Sequence, residues 1–254
     1  MRLRIAALIA IVGTMVACTP EATGTPPSTQ SNSAPAQPLS IPAPGWRAVL
    51  IAGENNSPAF DNGIDALRDK LAARGVRDMH VLTSDPDRNP SAKVASTANI
   101  SSALRSGSGQ ACLVFVTSHG LESGVALKAA NGLLEPSALN NALDAGCSAR
   151  PTVVIVSACH SGIFLTRAMR QPNRIVLTAA ASDRVSFGCG ADDQFTYYDQ
   201  CLLQQFDGVS TWAGLAQATQ SCVAGLEKQM GIDRPSKPQN FIGPSVSGLR
   251  LPGR

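Results

Sequence analysis

The sequence predicts an α/β fold in which a mostly parallel sheet is covered by helices on both faces. Short, nearly continuous apolar runs recur along the chain, as expected of strands that are buried on both sides. Between them lie segments whose apolar residues are three and four positions apart, as in amphipathic helices. The order is β-α-β-α-β-α-β, so we expect neighbouring parallel strands joined by helical crossovers.

The individual elements follow from local sequence signals. The predicted strands are apolar runs that end at glycine or polar residues, and they cover 48–53, 79–83, 111–117, 152–158 and 174–180. The predicted helices cover 61–74, 96–106, 136–145, 197–206 and 211–230. In the first helix, Ile64, Leu67 and Leu71 share one face and Gly75 ends the pattern. Pro136 suits the first turn of the third helix, because that position needs no amide hydrogen.

The N-terminus predicts export from the cytoplasm. A basic start, Met1-Arg2-Leu3-Arg4, precedes 13 uncharged residues from Ile5 to Ala17. This run is too short to span a bilayer, which needs about 20 apolar residues, but it fits a secretory signal. The small and apolar residues before Cys18 resemble a bacterial lipoprotein signal. We therefore expect 1–17 to be a lipoprotein signal peptide and Cys18 to carry a lipid anchor in the bacterial cell envelope, on the periplasmic side of the outer or inner membrane. The alternative is an ordinary signal peptide cut near Ala17.

The next segment, 18–44, is predicted to be a disordered tether. Seven of the 17 prolines fall within residues 19–44, which are otherwise rich in Ser and Thr. Such a composition offers almost nothing to a core. Residues 45–254 remain, and this length suits one domain with a substantial core.

Composition excludes several classes of protein. With 44% hydrophobic and 15% charged residues, the chain is not mostly disordered. A net charge of +3, with no basic run beyond the N-terminus, gives no reason to expect a nucleic-acid partner. The cysteines lack the closely spaced pattern of a structural zinc site, and the absence of a Gly-x-Ser-x-Gly motif argues against a carbohydrate or ester hydrolase on a doubly wound sheet.

Two strands end in residues that are typical of nucleophilic catalysis. The third strand runs into Thr117-Ser118-His119-Gly120, and the fourth runs into Ala158-Cys159-His160. If these strands are parallel neighbours, His119 and Cys159 meet at the carboxyl edge of the sheet, where open parallel sheets carry their active sites. An imidazole beside a thiol promotes formation of the thiolate nucleophile. Buried, inert cysteines are also common at such positions.

His160 competes with His119 for the role of base. Adjacent side chains of an extended backbone point to opposite faces, so His160 diverges from Cys159 unless the turn is sharp. His119 is therefore the preferred base. Gly120 would allow its backbone amide to approach a substrate carbonyl and donate to an oxyanion, with the amide of Cys159 as a second donor.

These motifs resemble the bacterial legumain-like cysteine peptidases, peptidase family C13. The similarity runs from Trp46 to Leu249 and is most specific at the strand ending His-Gly and the strand ending Ala-Cys-x-Ser-Gly. The resemblance implies a caspase-like three-layer α/β fold. It also implies that His119 is the general base and acid, that Cys159 is the nucleophile and that Gly120 belongs to the oxyanion hole, with no metal or organic cofactor.

The sequence departs from plant and animal legumains in the predicted specificity pocket. Ser157 stands where those enzymes have a glutamate, and Asp61 and Asn62 stand where they have a basic pair. We therefore do not expect their asparagine preference, and we assign Asp61, Ser157 and Asp183 to substrate binding. Asp61 in this pocket would favour a basic or polar side chain. Alternatively, Asp61 caps a helix that begins near Asn62.

Five cysteines remain after Cys18 and Cys159, so at least one thiol is unpaired within the chain. An oxidising location permits disulfides. Cys112 and Cys147 both fall at the amino edge of the predicted sheet, and Cys201 and Cys222 lie in the last two helices, so both pairs are possible. Cys189 would then be free. The alternative is that several of these are buried thiols, because sequence alone does not fix the pairing.

The preferred function is a membrane-tethered cysteine endopeptidase acting on a peptide or protein. A transpeptidase would use the same thioester, with an amine in place of water as the acceptor. A non-catalytic peptide-binding lipoprotein is the third possibility, although the presence of both His119 and Cys159 argues against it.

Overall fold

A seven-stranded sheet forms the centre of the domain, and its main strands follow the apolar runs of the sequence. The computed structural model describes residues 38–88, 91–107 and 109–254. The strands of this sheet are β1 (Trp46–Ala52), β2 (Asp78–Thr83), β3 (Lys93–Val94), β4 (Ala111–Thr117), β8 (Thr152–Ser157), β9 (Arg174–Thr178) and β10 (Gln239–Ile242). Their spatial order is β10-β9-β8-β4-β1-β2-β3, and only β10 is antiparallel to its neighbour.

Five helices flank the sheet. They are α1 (Pro58–Ala73), α2 (Thr97–Arg105), α3 (Pro136–Cys147), α4 (Tyr197–Gln205) and α5 (Trp212–Gln229). All five lie where the periodicity predicts them, although α1 begins three residues earlier than expected. Ser57 caps that helix, since its Oγ accepts the Ala59 amide at 3.3 Å, so the interpretation of Asp61 as the helix cap is wrong.

Alternating residues of the strands supply two separate hydrophobic cores. Leu50, Phe115 and Ile155 pack with α1, α4 and α5 on one face of the sheet. Val114 and Val154 pack with α2 and α3 on the other. Because successive side chains of a strand point to opposite faces, strands that are apolar throughout require a helical layer on each side. This arrangement confirms the predicted three-layer α/β fold.

A small antiparallel sheet is inserted directly after β4, and the sequence did not indicate it. It consists of β5 (Gly120–Leu121), β6 (Gly124–Leu127) and β7 (Gly132–Leu134). The insert is held to the end of β1, where the Gly53 carbonyl accepts the Lys128 amide at 2.8 Å. The insert therefore lies beside the carboxyl edge of the large sheet.

The N-terminal predictions fall mostly outside the described residues. The predicted signal peptide, Cys18 and the tether as far as residue 37 are not described. Within the predicted tether, Leu39 pairs with Leu249, and the Ile41 carbonyl accepts the indole N–H of Trp46 at 3.3 Å, so these residues already contact the domain. Among the described residues, no helix is both long and apolar enough to cross a membrane.

Candidate active site

His119 and Cys159 follow neighbouring strands at equivalent positions. Strands β4 and β8 are parallel, and their last paired residues are Thr117 and Ser157. His119 and Cys159 each lie two residues beyond that pair. Adjacent strands are about 4.8 Å apart, so the two residues occupy the same part of the carboxyl edge. The predicted pairing of these strands is confirmed.

Gly120 closes the distance between the two strand ends. A β-carbon added at Gly120 would lie 1.9 Å from the carbonyl oxygen of Cys159 and 2.9 Å from its nitrogen. Any side chain at this position would therefore collide with backbone, which makes glycine necessary. The residue predicted to supply an oxyanion donor is in direct contact with the peptide of the predicted nucleophile.

The His119 ring is oriented by an aromatic contact. Phe60, buried in the first turn of α1, meets the imidazole edge to face, with ring centroids 5.1 Å apart and an interplanar angle of 81°. The His119 carbonyl accepts the Ala126 amide at 2.9 Å, which ties its backbone to β6. These two contacts hold the ring and the backbone of His119 at the carboxyl edge of the sheet.

The Cys159 thiol lies under the segment that follows β9. It is free and half-buried. Its Sγ accepts the amide of Ser186 at 3.3 Å and lies 3.6 Å from the carbonyl oxygen of the same residue. Ser186 thus fixes the direction of the sulfur. The segment itself is held to the turn after β8, where the Arg184 carbonyl accepts the His160 amide at 2.8 Å.

His160 is directed to another partner by a sharp turn. It has φ 57° and ψ 10°, a left-handed conformation that is uncommon for a residue with a side chain. The turn places its Nδ1 2.9 Å from the carbonyl oxygen of Ser182, to which the ring donates. Strained backbone of this kind is frequent beside active sites. The His160 ring is therefore engaged by the Ser182 carbonyl, and the assignment of His119 as the base stays a prediction.

The three residues assigned to substrate binding lie in different settings. Asp61 is 3% exposed and accepts a hydrogen bond from the Thr83 hydroxyl at 2.7 Å. Ser157 is buried at the end of β8. Asp183 is exposed and forms ion pairs with Arg184 and Arg234 at 3.6 and 3.5 Å. Their assignment to substrate binding stays a prediction.

A buried polar cluster beneath the strand ends was missed by sequence reasoning. It consists of Thr117, Ser157, Thr196 and Asp199, and we call it the strand-end cluster. Thr117 donates its hydroxyl to Asp199 Oδ2 at 2.7 Å, and the hydroxyls of Ser157 and Thr196 are 3.3 Å apart. Thr196 also caps α4, accepting the Asp199 amide at 3.0 Å. The Thr-x-x-Asp spacing signals a helix cap, but nothing in it reveals contacts with β4 and β8.

Asp199 has an unusual electrostatic environment. Burial raises the pKa of this carboxyl from 3.8 to about 6, although hydrogen bonds from Thr117, Ser157 and Thr196 oppose the shift. Its Oδ1 has no hydrogen-bond partner among the described residues. Burying a carboxylate without a cation or a full set of hydrogen-bond donors lowers the free energy of unfolding.

The cysteine pairing agrees with the two pairs considered from sequence. Disulfides join Cys112 to Cys147 and Cys201 to Cys222. Cys189 is free and half-buried. Burial is the main cause that raises the pKa of its thiol, followed by the charges of Cys159 and Asp193. Among the described residues, no group of three His, Cys, Asp or Glu side chains is arranged to hold a metal ion.

A family comparison covers the segment that contains both strand ends. Residues 91–217 match the model of the Peptidase C13 family. The chain belongs to the Peptidase C13 family. Its membership, together with the fold, identifies a cysteine peptidase that acts on peptides or proteins. Among curated proteins, none matches this C13 chain.

A solved structure is similar to this C13 protein in fold. It is the crystal structure of caspase-1 from Spodoptera frugiperda, with a TM-score of 0.56 and 15% sequence identity, covering 78% of this chain and 86% of that chain. At this identity the similarity supports the fold alone. The expectation of a legumain-like peptidase with a caspase-like fold is confirmed.

Proposed function

We propose that this C13 protein is a cysteine endopeptidase in which Cys159 is the nucleophile and His119 is the general base and acid. The observation that carries the proposal is the equivalent placement of the two residues, each two positions beyond the paired ends of β4 and β8. The contact between Gly120 and the Cys159 peptide supports it, because it brings the two turns together.

The reaction proceeds through a thioester. His119 accepts the proton of the Cys159 thiol while Sγ attacks the carbonyl carbon of the scissile peptide. The resulting oxyanion accepts hydrogen bonds from the backbone amides of Gly120 and Cys159. The C–N bond then breaks, and His119 returns the proton to the departing amine. Water, deprotonated by His119, attacks the thioester, which releases the carboxylic acid and restores the thiol.

The cellular setting proposed here rests on the sequence. We propose that the signal peptide 1–17 directs export, that Cys18 carries the lipid and that the Pro-rich segment holds the peptidase away from a bacterial envelope membrane. Growth with an alkyne-labelled fatty acid tests this. Label in the wild-type protein and none in Cys18→Ala is expected. Equal labelling of both, or none in either, contradicts the anchor and favours an ordinary signal peptide cut near Ala17.

Labelling by a thiol-directed peptide electrophile is the direct test of the chemistry. We expect adduct at Cys159 in the wild-type protein, identified by mass spectrometry, and none in Cys159→Ala. Cys189→Ala is the matched control, because Cys189 is the other free, half-buried thiol among the described residues and lies outside the proposed mechanism. No adduct at Cys159 in the folded wild-type protein contradicts the proposal.

The acceptor of the acyl group needs a separate measurement. Cleavage of a labelled peptide is followed with and without an added amine such as glycine amide. Water as the acceptor yields the free acid in both reactions. A product joined to the amine as the main species would instead indicate a transpeptidase that uses the same thioester.

A further inference from the structure

The strand-end cluster connects the two strands that carry His119 and Cys159. Thr117 is the last residue of β4, and it donates to Asp199 at 2.7 Å. Ser157 is the last residue of β8, and it meets the Thr196 hydroxyl at 3.3 Å. Thr196 and Asp199 are joined at the start of α4 by the cap bond. A continuous hydrogen-bonded path therefore runs from the end of one strand to the end of the other.

The path lies in the protein interior. Thr117 and Asp199 are 0% exposed, and Ser157 is 1% exposed. Buried hydrogen bonds of this kind have no competing water, so they hold their partners more strictly than bonds at the surface do. His119 and Cys159 each follow this path by two residues, so a shift at either strand end moves the proposed nucleophile or base.

Asp199 also determines how closely α1 approaches the site. A β-carbon at Gly63 would lie 3.0 Å from Asp199 Oδ2, so α1 passes over the carboxylate at a glycine. Three residues earlier, the same helix places Phe60 against the His119 ring. Asp199 therefore contacts β4 and α1 directly and β8 through Thr196.

Capping of α4 does not account for a carboxylate here. Thr196 accepts the Asp199 amide and caps the helix by itself. Asp199 forms no ion pair among the described residues, and its Oδ1 is unpartnered. A buried acid of this kind lowers stability, which suggests that the residue serves something other than folding.

We propose that Asp199 is a positioning residue for the peptidase reaction, and that its bonds to Thr117 and Thr196 fix the separation of His119 and Cys159. The inference rests on the proposed function. Asp199 is not expected to touch the substrate, since it is fully buried. Its loss should therefore lower kcat and leave KM nearly unchanged.

Thr117→Val is the main test, because it removes one hydroxyl and keeps the side-chain shape. We expect kcat to fall at least tenfold per folded molecule, with KM within twofold. Thr219→Val is the matched control, since Thr219 is equally buried in α5 but its hydroxyl has no partner within the described part of the chain. The control should keep wild-type kcat. Equal kcat in the two variants overturns the proposal.

Asp199 is then tested directly with two substitutions. Asp199→Ala should lower kcat at least tenfold, whereas Asp199→Asn retains an acceptor for Thr117 and should recover kcat to within threefold of wild type. If Asp199→Asn is as slow as Asp199→Ala, the proposal is overturned. If Asp199→Ala does not fold, the kcat values of Asp199→Asn and Thr117→Val still test the proposal. A wild-type protein that does not label at Cys159 instead contradicts the proposed function itself.

Discussion

Gly120 and Cys159 are in backbone contact: a β-carbon on Gly120 would stand 1.9 Å from the Cys159 carbonyl oxygen. The carbonyl oxygen belongs to the main chain, and an added β-carbon would be fixed to the main chain of residue 120, so neither could move aside as the end of a flexible side chain would. This relationship, more than the two side chains themselves, makes the turns after β4 and β8 one structural unit.

Gly120→Ala should therefore greatly slow the reaction of Cys159 with the peptide electrophile. The added carbon must separate the two turns, so we expect labelling by the peptide electrophile to slow at least a hundredfold. Gly225→Ala is the control, since nothing lies within 4 Å of the added carbon in α5. There alanine should raise the free energy of unfolding by up to about 1 kcal/mol. If Gly120→Ala is labelled as fast as the wild-type protein, the backbone contact between residues 120 and 159 is contradicted.

The two histidines near Cys159 should differ in their effects. His119→Ala removes the proposed base, so we expect labelling to slow by about 10² to 10⁴-fold. His160→Asn should label within threefold of wild type, because asparagine tolerates the left-handed conformation at this turn. Rates are compared in folded protein at one pH. A larger loss in His160→Asn than in His119→Ala would reverse the assignment.

Asp199 should make stability depend on pH. Its folded pKa is raised from 3.8 to about 6, so the folded state holds the proton more tightly than the unfolded state does. The free energy of unfolding contributed by this group therefore falls as pH rises from about 4 to 6, by about 3 kcal/mol in total. Urea unfolding of wild type and Asp199→Asn measures it. The difference between their free energies of unfolding should change between about pH 4 and pH 6. If the two free energies instead show the same dependence on pH, the raised pKa of Asp199 is contradicted.

Removing the Cys201–Cys222 disulfide should destabilise the domain without affecting the chemistry. The bridge closes a loop with a sequence separation of 21, which corresponds to about 3 kcal/mol of unfolding free energy. The double variant with alanine at both positions should melt at a lower temperature and still label at Cys159. An unchanged melting temperature would mean that the disulfide contributes nothing to stability. Loss of labelling at Cys159 would mean that the disulfide is needed for the reaction.

A preference for basic or polar substrate residues is predicted if Asp61 lies in the specificity pocket. Its carboxylate is buried and accepts from Thr83, so the competing expectation is that it only anchors β2 to α1. Cleavage profiling with a peptide library decides between them, with Asp65→Asn as a control one turn along the same helix. No preference for Lys or Arg, and no change in Asp61→Ala, would contradict the pocket role.

Local sequence signals predicted the helices and the long strands because these elements depend on patterns within a few residues. Val114 and Phe115 belong to a run that is apolar throughout, and this pattern predicts a strand covered on both faces. The strands β5, β6 and β7 were not foreseen. They have two to four residues each. Runs that short have too little periodicity for a strand to be distinguished from a loop.

By itself, the sequence determined the layered fold, the placement of His119 and Cys159 at strand ends and the surplus of unpaired cysteine. Each of these follows from residue type and local spacing. Only the tertiary structure decided that Asp199 joins the two strand ends, that His160 turns toward Ser182 and which cysteines pair. Those relationships link residues 21 to 82 positions apart, and contacts over such distances are set by how the layers pack.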